Sequence, residues 1–517
     1  MRIAKCLGTT VLTLFTTFVL PIHLAAQVQQ AGHLKHYAYK LVDLGTLGGP
    51  NSYNESIPPE NIISLGGVAA AYADTLTPDP YFPNCANPDC FVSHAISWQG
   101  GIQTDLGALP GGPSSFASSI NARGEIVGAS QNGQIDPLTA YPETLAVLWK
   151  NDIFNLGTLG GNQSVANAIN DRGQVVGAAL NAIPDPLSNN FSLTYLFVPA
   201  ATQAHAFLWT PAEGMQDLGT LGGPDSAAAF VNLSGQISGQ SYTNAAINPT
   251  TGYATLDPFF WEHGKMLDIG TLGGTFGYSV WMNSHGQVVG VSNLAGDQTS
   301  HAFLWGKKEG LKDLGTLGGS YSEPDWINDA GAIVGGAYTA NDAAYHAFLW
   351  RDGVMTDLGS VADDTCSEAT SINSLSQIVG FGSADCQNED HAFLSENGGP
   401  IIDLATLVLP GSDLTLIQAI FINDQGEIAA RGKLSNGDEH AVVLIPCDGN
   451  HPFSAGCSYN LVEVSIAPGQ STQASSRLAN SSKLSQSNQL NRIQSLRAVS
   501  NRRLDVPGTP PKLGERE

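Results

Sequence analysis

The chain has 517 residues, of which only 13% are charged and 58 are glycine, a composition that favours short strands joined by tight turns over helices. Its formal charge is −24, yet eight of the 22 Lys and Arg residues lie between Arg477 and Arg516, so the remainder is more acidic still. An acidic body repels phosphates and anionic lipid headgroups, which argues against nucleic acid or a membrane surface as a partner.

The N-terminus has the features of a secretory signal. Arg2 and Lys5 precede the apolar run VLTLFTTFVLPI, and the small residues of LAAQ offer a cleavage point near Ala26. The run is shorter than a membrane span requires, and no later segment resembles one. We predict a signal peptide over residues 1–26, no transmembrane segment, and export to the medium, the cell surface or the periplasm.

Six cysteines follow the signal, and export permits them to form disulfides. They occur as neighbours in the sequence, and the predicted pairs are Cys85 with Cys90, Cys366 with Cys386, and Cys447 with Cys457. The alternative is six reduced, buried thiols. Cys366 and Cys386 flank one predicted hairpin, whose open end would bring their Cα atoms within bridging distance.

From Tyr37 onward the chain repeats four short phrases in a fixed order: HAFLW-like, DLGTLGG-like, a phrase ending in Ile-Asn, and GQVVG-like. Each phrase has β-branched or aromatic residues at alternate positions and is bounded by Gly, Asn, Asp or Ser, which is typical of strands. The Asn-Asp-Xaa-Gly between the last two phrases is hairpin turn chemistry. The sequence therefore predicts four antiparallel strands in each repeat.

Four short strands recurring every 44 to 62 residues are typical of a β-propeller blade. The array opens on YKLVDLGTLGG without the first phrase and ends on HAVVL at His440 without the other three, so one blade would be completed from both chain ends. Closing the ring in this way removes exposed sheet edges. We predict an all-β fold: a β-propeller of eight four-stranded antiparallel blades over residues 37–446. Seven blades are the alternative, because the copy after Asp43 is degenerate.

The phrases HAFLW, DLGTLGG and INDRGQVVG resemble the bacterial extracellular HAF repeat, named for its His-Ala-Phe triplet. The resemblance runs from about Tyr37 to Leu444 and weakens before Asp105 and after Asp357. It implies export and a β-repeat fold, and it implies no catalytic residues.

The repeated residues suit structural roles. Phe and Trp of HAFLW would seal the contacts between blades, the glycines of LGG would supply positive φ, and the Asp and Asn would bond to nearby backbone. Six repeats begin with histidine: His94, His205, His301, His346, His391 and His440. A metal-binding ring is one interpretation, but equivalent positions should lie too far apart to share an ion. The favoured interpretation is a strand-end histidine that hydrogen-bonds a neighbouring blade.

No HExxH, paired CxxC or GxSxG pattern occurs, so we predict no catalytic residues, no metal and no cofactor. Scattered carboxylates could still form a glycosidase pair, because one sequence does not show which acids converge.

The links between the GQVVG and HAFLW phrases differ in length. They span 23, 14, 26 and 16 positions in the first four repeats and 9 in each of the next three. Function concentrates on long loops over a rigid scaffold, so the aromatic residues of the long links are the predicted binding residues. They are Tyr81, Phe82, Tyr141, Phe191, Tyr195, Phe197, Tyr242 and Tyr253. The alternative is that they only pack the loops onto the scaffold.

After Cys457 the composition changes to Ser, Gln, Asn and Arg, which predicts a short cysteine-containing segment over 447–462 and a disordered basic tail over 463–517. The leading hypothesis is an exported, non-enzymatic, monomeric propeller that binds a glycan or a protein partner through the long loops. The alternatives are a secreted carbohydrate-active hydrolase or lyase with acids near the channel mouth, and a surface-structural or assembly protein.

Overall fold

The structure is a computed structural model of the chain, and the residues it describes are 33–54, 62–87, 89–185, 187–196, 198–361, 364–386, 389–451, 457 and 461–465. The predicted signal peptide, Phe197, and residues 466–517 lie outside the described residues. The architecture is all-β and built from four-stranded antiparallel sheets, as predicted. The helical segments of the described chain are α1 (Ser188–Tyr195) and two 3₁₀ helices, Ala340–Asp342 and Leu404–Leu407.

Strand pairing groups most of the described strands into eight four-stranded units. The strands of a unit are labelled A to D in sequence order, except that strand D of unit 8 comes from the N-terminus. Two strands precede the first unit: β1 (His33–His36) and β2 (Tyr39–Asp43). Unit 1 contains β3 (Gly48–Tyr53), β4 (Ala69–Pro78), β5 (Phe91–Gln99) and β6 (Ile102–Asp105). Unit 2 contains β7 (Ser115–Ile120), β8 (Ile126–Ile135), β9 (Pro142–Lys150) and β10 (Asp152–Gly157). Unit 3 contains β11 (Gly160–Ile169), β12 (Val175–Pro184), β13 (Thr202–Thr210) and β14 (Gly214–Gly219). Unit 4 contains β15 (Ser226–Val231), β16 (Ile237–Tyr242), β17 (Leu256–Glu262) and β18 (Lys265–Asp268).

The later units repeat the same order. Unit 5 contains β19 (Gly273–Met282), β20 (Val288–Leu294), β21 (Ser300–Gly306) and β22 (Gly310–Asp313). Unit 6 contains β23 (Gly318–Ile327), β24 (Ile333–Thr339), β25 (Tyr345–Arg351) and β26 (Val354–Gly359). Unit 7 contains β27 (Cys366–Ile372), β28 (Gln377–Ser383), β29 (His391–Glu396) and β30 (Ile402–Asp403). Unit 8 contains β31 (Thr415–Ile422), β32 (Ile428–Lys433), β33 (Glu439–Pro446) and, as its strand D, β2.

The N-terminal strand β2 therefore completes the last unit. It pairs antiparallel with β33 over its whole length, from Tyr39 opposite Pro446 to Asp43 opposite Val442. This confirms the predicted pairing of HAVVL beside an N-terminal strand. The degenerate first copy also forms a four-stranded unit, in which β3 pairs with β4 at Ser52 and Tyr53.

Each unit is an antiparallel meander, so its B-to-C and D-to-A connections leave from one end, the loop face. The A-to-B and C-to-D turns lie at the other end, the turn face. Parallel bridges such as Leu256 with Phe276 and Ser300 with Tyr321 join strand C of one unit to strand A of the next. Units joined in this way point in the same direction, and the long B-to-C links emerge on the loop face.

In units 2 to 7 an asparagine of the A-to-B turn links neighbouring units across the turn face. Asn170 accepts hydrogen bonds from the main-chain N–H groups of Arg172 and Gln174, as predicted for a turn residue. Its Nδ2 also donates to the main-chain oxygen of Asn232 in the next unit, at 2.8 Å. The same inter-unit bond recurs from Asn121, Asn232, Asn283, Asn328 and Asn373, each to the next asparagine in the series.

The core lies between neighbouring units. The phenylalanines of the HAFLW phrase are fully buried, and Phe259 of unit 4 packs with Ala206 and Leu208 of unit 3. This confirms the sealing role predicted for them, and burying each such ring contributes about 1.5–3 kcal/mol. In LGG the first glycine has positive φ, as at Gly318. The second glycine, Gly319, allows the neighbouring strand to approach closely, since a Cβ atom at Gly319 would lie 2.5 Å from the Cβ atom of Tyr338.

All three predicted disulfides are present, with Cα–Cα distances of 5.2 Å for Cys85–Cys90 and 5.3 Å for Cys366–Cys386 and Cys447–Cys457. Cys366 stands opposite Ser383 at the open end of the β27–β28 hairpin, which is the predicted register. The tail boundary predicted at residue 463 falls inside a strand, because β34 (Val462–Ser465) pairs with β1. No helix among the described residues is long and apolar enough to cross a membrane.

Candidate functional site on the loop face

In five of the six units whose HAFLW phrase has a histidine, that histidine contacts the aspartate of strand D in its own unit. In His301 the Nδ1 atom lies 2.9 Å and 3.0 Å from the two carboxylate oxygens of Asp313, the aspartate of DLG. The same contact recurs in four further units: His94 with Asp105, His205 with Asp217, His346 with Asp357, and His440 with Asp43. His391 instead contacts Asp364.

This histidine–aspartate contact was not predicted, and it arises because strands C and D of one unit put the two side chains side by side; the predicted bond to a neighbouring blade occurs at His94. The link from His94 Nε2 to the main-chain oxygen of Pro113 is an additional contact toward the next unit. The aspartate also accepts the N–H of the glycine two residues later, as from Gly315 to Asp313 at 2.7 Å. Within the described residues, no three His, Cys, Asp or Glu side chains converge as a metal site would require.

Unit 4 departs from this pairing. Asp257 takes the place of the histidine and lies against Asp268, the aspartate of the DIG phrase. Burial of Asp257 and the neighbouring Asp268 raise the pKa of the Asp257 carboxyl to about 7. Unit 4 therefore has a carboxyl pair that shares a proton near neutral pH, where units 1, 3, 5, 6 and 8 have a histidine–aspartate contact.

The long B-to-C connections of units 1 to 4 share one turn. An Asp or Asn precedes proline, and its Oδ1 accepts the N–H of the residue after the proline at 2.8 Å, which is an Asx turn. The four turns are Asp79 to Tyr81, Asp136 to Leu138, Asp185 to Leu187 and Asn248 to Thr250. The sequence phrases PDPYF, IDPLTAYP and IPDPLSNNF contain this signal, although the sequence interpretation did not identify it.

The turns present apolar side chains to solvent. Leu76 and Phe82 of unit 1 are 75% and 76% exposed, and Leu138 of unit 2 is 62% exposed. Ile183 and Ile247 follow in units 3 and 4. No large apolar side chain is comparably exposed in the described B-to-C connections of units 5 to 8.

The predicted binding aromatics separate into two groups. Tyr81, Phe82 and Tyr141 lie on the connections of units 1 and 2. Phe191, Tyr195, Tyr242 and Tyr253 lie together on units 3 and 4. Of these, Phe191 is 1% exposed and Tyr242 is 4% exposed, so their rings anchor the loop and are not accessible to a ligand. Tyr195 and Tyr253 are partly exposed.

The second group continues into strands that the sequence interpretation did not single out, forming an aromatic belt across the loop face of units 3 to 6. Ring centroids are 4.6 Å apart for Phe191 and Tyr195 and 5.7 Å for Tyr253 and Phe276. The belt consists of Phe191, Tyr195, Tyr242, Tyr253, Phe276, Tyr278, Tyr321, Tyr338 and Tyr345. The added members lie at the loop-face ends of strands A (Phe276, Tyr278 and Tyr321), B (Tyr338) and C (Tyr345).

A buried carboxylate, Glu323, joins the unit 5 part of the belt to the unit 6 part. Tyr278 donates its hydroxyl to Glu323 Oε1 at 2.9 Å, and Tyr321 donates to Oε2 at 2.6 Å. Burial, followed by the charge of Glu323, raises the pKa of Tyr278 well above its ordinary value. The Tyr278 phenol therefore stays protonated, and the three side chains form a fixed polar group among apolar rings.

The second feature of the loop face is an acidic cavity of about 420 Å³ between units 7 and 8. Its walls include Glu389, Asp390, Asp413, Glu439 and Lys433. Beneath the cavity, the buried Arg431 places its Nη2 2.9 Å from Glu389 and its Nε 3.5 Å from Glu439. Lys433 lies 3.2 Å from Glu439, so the two cations near the cavity are already paired with acids.

No protein-family model matches the chain, and no curated protein matches it. It is similar to the β-propeller domain of the trilobed protease from Pyrococcus furiosus at 7% identity and a TM-score of 0.39, over 79% of this chain and 94% of that one. It is also similar to an oligogalacturonate lyase in complex with manganese at 10% identity and a TM-score of 0.40, over 80% and 96%. It is similar as well to the dipeptidyl peptidase 4 of Porphyromonas gingivalis, at 8% identity and a TM-score of 0.36, over 75% of this chain and 59% of that one. These TM-scores are below 0.5, and nothing about the activity of this chain is drawn from them.

Proposed function

We propose that this chain is an exported, non-enzymatic β-propeller of eight blades that binds a glycan through the aromatic belt of its loop face. The observation that carries the proposal is the belt itself: partly exposed tyrosine rings arranged around the fixed Glu323 carboxylate. Export is supported by three disulfides, which persist in oxidising compartments, and by the resemblance to the extracellular HAF repeat.

Closure of the ring is supported by contacts between units 8 and 1. Ser52 Oγ accepts from the N–H of Ala441 at 3.0 Å, the same bond that Ser322 of unit 6 makes with Ala302 of unit 5. Asn54 Nδ2 donates to the main-chain oxygen of Ala430 at 2.9 Å. Units 8 and 1 thus meet as consecutive units do, which favours eight blades over seven.

The ligand class follows from the chemistry of the belt. A sugar ring has apolar C–H faces and a rim of hydroxyls, so it needs flat apolar partners with polar groups at their edges. Tyrosine supplies both, since its ring packs and its hydroxyl bonds. Tyr195 and Tyr253 provide the partly exposed rings, and the phenol oxygens of Tyr278 and Tyr321, whose protons are donated to Glu323, provide fixed acceptors.

The test is a glycan-array and pull-down screen with the mature protein, followed by titration of any glycan found. We expect Tyr195→Ala and Tyr253→Ala each to weaken binding about tenfold, which is the loss of about 1.4 kcal/mol. The matched control is Phe154→Ala, a 49% exposed ring on strand D of unit 2, away from the belt. Equal loss in the control, or capture of a protein whose binding ignores both tyrosines, contradicts the proposal.

The alternative of a carbohydrate-active enzyme is favoured by the acidic cavity, where four carboxylates line one opening. Against it, Arg431 already contacts both Glu389 and Glu439, at 2.9 Å and 3.5 Å. The Asp257–Asp268 pair is hydrogen-bonded, whereas glycosidase carboxylates stand about 5–9.5 Å apart. Release of reducing ends from a polysaccharide, abolished by Asp413→Asn, would establish the enzyme instead.

A further inference from the structure

The two faces of the molecule differ in charge: the turn face carries both basic and acidic side chains, whereas the described B-to-C connections of the loop face carry only acidic ones. The described B-to-C connections contain no Lys or Arg, but they contain many acids: Asp79, Asp89, Asp136, Asp185, Asp297, Asp342, Asp385, Glu389, Asp390 and Asp438. The basic residues of units 1 to 7 lie in or beside turns of the turn face, or within strand β22 in the case of Lys312. The loop face is therefore anionic, and its field attracts cationic groups.

The anionic character is strongest at the acidic cavity. Arg431 and Lys433, the basic residues nearest to it, are already paired with Glu389 and Glu439. Neither Asp390 nor Asp413 has a Lys or Arg partner among the described residues, although both line the opening. The site thus has carboxylates in excess of cations and room for a further cationic side chain.

The same chain contains a segment of complementary charge. Residues 466–517 carry eight Lys and Arg against three acids, and many of the cations adjoin Leu or Ile, as in Arg477-Leu478 and Arg492-Ile493. This segment continues from β34, which pairs with β1, and β1 leads directly into β2 of unit 8. A fully extended segment of this length reaches about 170 Å, whereas a ten-residue strand spans only about 33 Å. The segment can therefore pass from its start to the cavity of the adjoining units.

We infer that the basic C-terminal segment, residues 466–517, docks on the loop face of its own chain, with Lys or Arg side chains in the acidic cavity of units 7 and 8. Attachment to the body keeps the segment at high effective concentration, so individually weak ion pairs suffice for occupancy. The cavity lies apart from the aromatic belt, and the inference is independent of the proposed glycan ligand.

The test is carbodiimide cross-linking of the full chain, which joins lysine amines to nearby carboxylates, with mass-spectrometric mapping of Lys483 and Lys512. We expect links to Asp390, Asp413 and Glu439, and loss of those links at about 1 M salt, where the Debye length falls to about 3 Å. Mixing ¹⁴N and ¹⁵N protein distinguishes links within one chain from links between two.

The matched variants neutralise three acids on each face. Asp390→Asn with Asp413→Asn and Asp438→Asn should shift the remaining lysine links away from Glu439. Asp171→Asn with Glu309→Gln and Asp352→Asn, on turns of the turn face, should leave them unchanged. Links spread evenly over both faces, an equal response to the two sets, or links only between isotopically different chains would each overturn the inference.

Discussion

Units 1 to 4 and units 5 to 8 share strands, turns and packing but differ in what stands on the loop face. The B strands of units 1 to 3 have ten residues, whereas those of units 5 and 6 have seven. The extra residues extend the B–C hairpin past a register shift, as between Leu180 and Pro184. In unit 3 the connection also holds helix α1.

The difference shows which parts of the repeat can vary. In units 2 to 7 the A-to-B turn is short and its asparagine bonds to the next unit, and in five units the end of strand D is held because its aspartate bonds to the histidine of strand C. The B-to-C hairpin makes neither of these contacts, so insertions are tolerated there. The four predictions below test this division between a shared scaffold and a variable half, in order of decreasing effect.

The shared scaffold should fail completely when its last pairing is removed. Deleting His440 to Leu444 takes out the middle of β33, which pairs with both β32 and β2, and leaves both as open edges. We expect aggregation and no cooperative thermal transition in calorimetry. A five-residue deletion in the variable half, Ala246 to Thr250, removes side-chain hydrogen bonds but no strand pairing and should leave a soluble, cooperative protein. A normal melting transition in the first variant would show that β33 is dispensable.

Within the variable half, burial should decide which aromatic residues matter for stability. Phe191→Ala empties a site that is 1% exposed, between Tyr195 and Tyr242, and should cost about 3–5 kcal/mol in urea unfolding, with faster hydrogen exchange in α1. Phe82→Ala, at 76% exposure, should change stability by no more than about 0.5 kcal/mol. Similar losses at both positions would mean that the connection of unit 1 packs as tightly as that of unit 3.

Two disulfides, one in units 1 to 4 and one in units 5 to 8, should differ in how much they stabilise the fold because they close loops of different length. Cys366–Cys386 of unit 7 closes a separation of 20 residues and Cys85–Cys90 of unit 1 only 5, so chain entropy gives about 3 and about 2 kcal/mol, respectively. Paired Cys→Ala variants, measured by urea unfolding, should follow that order. The reverse order would show that contacts made by the unit 1 connection, and not loop closure, determine the effect.

The smallest expected effect on stability concerns the pair Asp43 and His440, which joins the N-terminal strand β2 to β33. The hydrogen bond that His440 donates to Asp43 raises the pKa of His440, so the protonated histidine stabilises the folded state. That contribution is fully present below the unfolded pKa of about 6.5 and is lost as pH rises through the folded pKa. Urea unfolding between pH 5 and 9 should therefore show His440→Gln less stable than the parent protein at low pH, with the gap narrowing above neutrality. His263→Gln, at an 89% exposed side chain, should show no such trend.

Much of the shared scaffold could be predicted from the sequence because its signals are local. Alternating apolar residues, Asn-Asp-Xaa-Gly turns and the paired glycines each act within a few residues, and their repetition fixed the order of strands. The out-of-phase ends pointed to the β2–β33 pairing, and cysteine spacing on one hairpin pointed to Cys366–Cys386. These inferences required only strand alternation and the geometry of a meander.

The site could be predicted only in part. Long links and their aromatic residues were visible, but burial was not, so Phe191 and Tyr242 stood beside Tyr195 as equal candidates. Phe276, Tyr278 and Tyr321 were missed because a lone aromatic in a strand resembles core, and only the packing of units places these rings beside the unit 3 loop. Their alternation at the loop-face ends of strands A was the available signal.

The sequence by itself determined the repeat, the strand order and the face on which the loops stand, since these depend on residue periodicity and chain direction. Tertiary structure alone decided the partners of the polar side chains. The histidine met the aspartate of its own unit, twelve residues away in His301 and Asp313, because strands C and D are paired in register. Glu323 accepts a hydrogen bond from Tyr278, 45 residues distant, because neighbouring units place equivalent strands side by side. Contacts across such separations depend on how units pack, and no local signal in the chain specifies that packing.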